Sequence, residues 1–169
     1  MKNTLFLFLF FFNSLVVVSQ ELHLDDSALE TEILQLINQH RKTFKLNALE
    51  KDPVLLKAAQ DQSNYMLQIK KLSHEQATTQ KKYPKNRIKF HGGIDFFAYG
   101  ENVLYLTVEP KEYTKEEIAT LAQKIYKQWE ESPPHYQNMT SKDFGFASLA
   151  FAFDTKAKRL YATTVFGNK

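Results

Sequence analysis

The chain has 169 residues, 43% of them hydrophobic and 24% charged, with no cysteine and a formal net charge of +3. That composition excludes a disulfide framework, a thiol nucleophile and a thiolate metal site. The lysines are spread along the chain and mixed with acids, so no nucleic-acid footprint is present.

The first segment, MKNTLFLFLFFFNSLVVVS, combines one lysine, an apolar run and then small residues, with Val17 and Ser19 at the minus-three and minus-one positions of a cleavage site. This predicts a secretory signal peptide over residues 1–19. Asn13 and Ser14 break the run short of the roughly 18 apolar residues of a spanning helix. The expected product is secreted or periplasmic, with no membrane span after cleavage. Loss of Lys2 takes the charge from +3 to +2. Residues 20–169 suit a single domain with a core of its own.

A helix is expected from Ser27, where S-A-L-E offers a capping box and Leu29, Ile33, Leu36, Ile37, His40 and Phe44 share one face. His40 on that face reads as a core histidine, and Arg41 as a pin for the loop that follows. Asp52 and Pro53 open a second helix, which ends near Lys70 and Lys71. From His74 to Tyr99 the chain is polar, basic and irregular apart from a short helical turn near Asn86 to Lys89. An aperiodic segment of this length in a compact domain is often functional.

"YGENVLYL" reads equally as a helix start or a short strand. A third long helix is capped by T-K-E-E at 114–117 and striped by Ile118, Leu121, Ala122, Ile125 and Trp129. Pro133 and Pro134 end it. "FGFASLAFAFD" and "RLYATTVFG" then form a β-hairpin joined by Thr155 to Lys158, with Phe151 and Phe153 on one face. Helices segregated from an antiparallel hairpin predict an α+β or layered α-β-α domain.

No P-loop, dinucleotide fingerprint, H-E-x-x-H or G-x-S-x-G is present. Four pieces of the chain, in order, resemble the CAP superfamily, the cysteine-rich secretory, antigen 5 and pathogenesis-related proteins, in its bacterial form. They are "LINQHRKTFKLNAL" at 36–49, "LSHEQ" at 72–76, "YGENV" at 99–103, and "WEESPPHYQNM" from 129 running on to "FGFASLAF". The resemblance implies a three-layer α-β-α sandwich around a small antiparallel sheet. It also implies a central cleft lined by His74, Glu101 and His135. The family's second glutamate falls at Ser132 here, and the G-x-G before the following strand is Gly145-Phe146-Ala147.

Two imidazoles, His74 and His135, can hold zinc or another divalent cation, but weakly, because committed zinc sites have three or four protein ligands. Ser132 and Asn138 either orient His135 or cap a turn, and His91, beside Gly92 and Gly93, is placed at the flank of the cleft. Phe96, Phe97, Tyr99 and Tyr105 either line a groove or complete a hydrophobic layer. Two functions follow. One is a binding module for a divalent metal and an extracellular or envelope ligand, lipid or peptide. The other is a metal-dependent extracellular hydrolase of peptide or ester bonds, with His74 and His135 as ligands and Glu101 as the catalytic base. Incomplete ligation and the serine at 132 favour the binding module.

Overall fold

The computed structural model describes residues 22–169; the leader read at residues 1–19 lies outside them. Helix α1 spans Asp26–Thr43 and α2 spans Pro53–Ile69. A 3-10 turn at Thr79–Lys81 leads to α3, Pro84–Phe90. Strand β1 is Ala98–Thr107, α4 is Lys115–Glu130 and α5 is Pro133–Thr140; β2, Phe146–Asp154, and β3, Arg159–Asn168, close the fold. None of the helices among the described residues is long and apolar enough to cross a membrane.

The helix starts follow the local chemistry, with one correction. Asp52 caps α2 by accepting from the Val54 and Leu55 N–H groups, and Thr114 and Glu117 form the capping box of α4. In α1 the cap is Asp25, which accepts from Ala28 N–H at 2.9 Å, rather than Ser27. Glu30, the expected box partner, is buried. It accepts from Leu149 N–H on β2 at 3.1 Å and pairs with Lys51 at 2.9 Å, contacts that sequence spacing does not reveal.

"YGENVLYL" is strand, and the two prolines both stop α4 and occupy the first turn of α5, where a missing N–H costs nothing. The hairpin forms as expected, with β1 added to it in the order β1-β3-β2, all antiparallel. Alternation across the strands splits the core. Leu104, Leu106, Leu149, Phe151, Ala162 and Phe166 pack with the apolar faces of α1 and α4, around a fully buried Trp129. Ala150 and Val165 pack under α2 and α3 with Leu55, Ala58 and Ile88, and Val103 and Tyr161 join Met66. The sheet is therefore covered on both faces, an α+β three-layer sandwich.

Candidate functional site

The site straddles β1, an edge strand. Successive side chains of a strand point to opposite faces, so Glu101 goes under α3 and the loop after α2, while Asn102 goes to the side of α5. Gly100 precedes them because a Cβ there would lie 2.9 Å from both Asn138 Oδ1 and Phe144 Cζ. Each residue of G-E-N thus has its own reason: close approach, a buried carboxylate, and a clamp on α5.

The Glu101 side chain is 1% exposed, whereas the His74 side chain is 52% exposed. One carboxylate oxygen takes His74 Nδ1 at 2.9 Å. The other pairs with the guanidinium of Arg87, a fully buried residue. Arg87 Nη1 also reaches the carbonyls of His74 (3.4 Å), Lys81 (3.0 Å) and Lys82 (3.3 Å). The guanidinium can only donate and the carboxylate accepts, so the His74 ring donates through Nδ1. In the neutral ring Nε2 then keeps the lone pair, the arrangement by which a carboxylate fixes the tautomer of a ligand histidine.

His135 is the third residue of α5. Its carbonyl accepts from Asn102 Nδ2 at 3.0 Å, and Asn138 Nδ2 donates to Asn102 Oδ1 at 2.8 Å and to the Glu101 carbonyl at 3.2 Å. These bonds hold the first two turns of α5 against β1. Burial, and then the charge of the nearby His74, push the His135 imidazole below its usual value of 6.5. The electropositive start of α5 acts in the same sense. A neutral imidazole is what ligation or hydrogen-bond acceptance requires.

The other expected site residues have partners of their own. His91 bonds to Asp61 Oδ2 of α2 at 2.7 Å, and that carboxylate also pairs with Lys81 at 2.7 Å. Among the described residues, His91 thus shares no bond with the His74–Glu101 group. Ser132 precedes α5 without a side-chain capping bond, and its carbonyl accepts the Tyr136 N–H at 2.8 Å. Asn138 acts through Asn102 and the Glu101 carbonyl. His40 is only partly buried, bonded to Tyr136 OH at 3.1 Å and lying 3.6 Å from Glu130. Phe96 completes the core, while Phe97, Tyr99 and Tyr105 remain exposed.

Sequence reasoning missed Arg87 and Asn102. Arg87 stands in a lysine-rich stretch that reads as solvated, and only its neighbour Ile88 marks the buried side of α3. Asn102 became legible only once "YGENV" was strand.

Among the described residues, no three His, Asp or Glu side chains are grouped so as to hold a metal ion. A zinc site of the catalytic kind, with three protein ligands, is therefore not formed by them.

None of the curated proteins matches the chain. Among solved structures, an outer surface protein of Borrelia burgdorferi shares 19% identity at a TM-score of 0.67, over 82% of this chain and 91% of that one. An extracellular SCP-domain protein of Bacillus anthracis shares 20% at 0.64, over 85% of this chain and 41% of that one. The venom allergen-like protein 4 of Schistosoma mansoni shares 11% at 0.54, over 85% and 89%. These likenesses show a common fold. The sequence itself matches the Cysteine-rich secretory protein family over residues 34–166, nearly the whole sandwich, and the chain belongs to that family, CAP.

Proposed function

We propose that this is an extracytoplasmic binding module whose cleft presents His74 and His135 on either side of β1. The ligand class is an extracellular or envelope molecule, lipid or peptide, with zinc or another divalent cation held weakly on the two imidazoles. The leader, and the surface or extracellular nature of two proteins of the same fold, support the location.

The observation that carries this reading is the double engagement of Glu101. A general base needs a lone pair within reach of a substrate or water. Here one oxygen holds His74 and the other holds a buried guanidinium. Glu101 is therefore a positioning group, and the geometry favours binding over hydrolysis.

The test is a calorimetric zinc titration of the chain beginning at Gln20, which keeps every element described, beside folded His74→Ala, His135→Ala and Glu101→Gln. Weak binding lost in each histidine variant, and weakened about tenfold in Glu101→Gln, supports the reading. Binding indifferent to both histidines removes the metal from it. Metal-dependent ester or peptide hydrolysis abolished by Glu101→Gln would restore the hydrolase.

A further inference from the structure

The connection between α3 and β1 presents apolar side chains outward from a fixed support. Gly92 turns the chain at a φ of +95°. A Cβ at Gly93 would lie 2.6–2.9 Å from Ile88, Phe96 and Val54, so the backbone is packed down against the core. Phe96 is buried and Phe97 N–H donates to the Asn168 carbonyl at 3.0 Å. From this anchored loop Ile94 and Phe97 project as the two most exposed large apolar side chains among the described residues, at 81% and 69%. Phe90 and Tyr99, which flank the loop in the chain, are exposed too.

The neighbouring charge is positive. Lys85 and Lys89 stand one turn apart on α3, exposed and outside the ion pairs of the described residues, whereas Lys81 and Lys82 face Asp61 and Glu75. The Lys85 ammonium lies 5.4 Å from the Tyr99 ring centroid, which joins the cationic face of α3 to the apolar patch. The loop's own acid, Asp95, lies near enough to Lys169 to act on it through charge. A soluble anion or an acidic polymer would satisfy the lysines and leave Ile94 and Phe97 in water. A surface with an anionic skin over an apolar interior satisfies both.

We infer that this face docks on an anionic lipid bilayer. Ile94 and Phe97 enter the acyl boundary, Tyr99 lies at headgroup level, and Lys85 and Lys89 face the phosphates. The inference goes beyond the cleft and needs no metal.

The experiment is co-sedimentation of the chain beginning at Gln20, in EDTA, with vesicles of phosphatidylcholine alone or mixed with phosphatidylglycerol. Binding is expected only to the mixed vesicles and is expected to fall at least about tenfold in Lys85→Glu/Lys89→Glu and in Ile94→Ser/Phe97→Ser, with thermal unfolding unchanged in both. Absence of binding to the mixed vesicles overturns the inference. So does binding that Ile94→Ser/Phe97→Ser leaves intact, which would mean charge adsorption alone, or binding displaced by soluble glycerol phosphate, which would mean a headgroup site. Because EDTA is present, failure here is distinct from failure of the zinc titration.

Discussion

Two arginines are buried in this fold, and they are used differently. Arg41 of α1 is 1% exposed and meets only backbone. Its Nε donates to the Asn47 carbonyl at 2.8 Å, and its two terminal nitrogens to the carbonyls of Met139, Ser141 and Phe144 at 2.8–3.1 Å. Among the described residues no carboxylate pairs with it, and burial lowers its pKa. Arg87 of α3 meets three carbonyls and also Glu101, whose second oxygen holds the exposed His74. One guanidinium staples two loops; the other transmits its position through a carboxylate to an imidazole at the surface. Equal burial therefore does not mean equal role, and what separates the two is whether the partner passes the constraint on.

That contrast can be broken first at Arg87. Arg87→Met leaves the buried Glu101 carboxylate with only the His74 ring as partner, and is expected to cost about 3–5 kcal/mol in urea unfolding. Arg87→Met combined with Glu101→Leu removes both charges and should recover part of that stability, the carbonyls of His74, Lys81 and Lys82 staying without their donor, and should not recover zinc affinity. Arg41→Met orphans four carbonyls and is expected to cost about 2–3 kcal/mol. Zinc binding of whatever fraction remains folded should be unchanged, and a variant that loses affinity would erase the distinction between the two arginines.

Gly100→Ala is a smaller perturbation, since its methyl must displace Asn138 or Phe144. Overpacking of this kind costs about 1–3 kcal/mol, and here it should move α5, the helix that carries His135. The smallest effect is one of pH. The folded His135 value lies below 6.5, so the unfolded chain takes up its proton first. The contribution is fully present above 6.5 and is lost as pH falls through 6.5 toward the folded value. Denaturation midpoints of the parent chain should slope downward in that window more than those of His135→Gln.

Much of the architecture was legible because it is local. Asp52-Pro53 and Thr114 to Glu117 are helix starts that depend on neighbours three residues apart, and both stand. The Ser27 box failed because Glu30 is needed by Leu149 N–H, 119 positions away in sequence, and Asp25 was free to cap instead. "YGENVLYL" lacked a clear period because residues 101–104 are all buried in a sheet covered on both faces. The proline pair was read as a stop and is equally a start, since both residues fit the first turn of α5.

The site was legible in part. His74, Glu101 and His135 came from the resemblance of LSHEQ, YGENV and WEESPPHYQNM to the family. His91 was placed by its position in the insert, and nothing local announced that Asp61 would hold it. Arg87 was hidden by its lysine neighbours, because the charge that matters most to Glu101 is indistinguishable in sequence from charges that face water.

The account rests on Arg87 and Glu101 fixing the His74 ring with Nδ1 as donor, and nitrogen-15 NMR of the histidine rings tests it most directly. At a pH where His74 is neutral, the account predicts a ring protonated at Nδ1 with a bare Nε2, and a shift toward the Nε2–H form in Glu101→Leu. A His74 ring protonated at Nε2 in the parent chain, or one indifferent to Glu101→Leu, would contradict it.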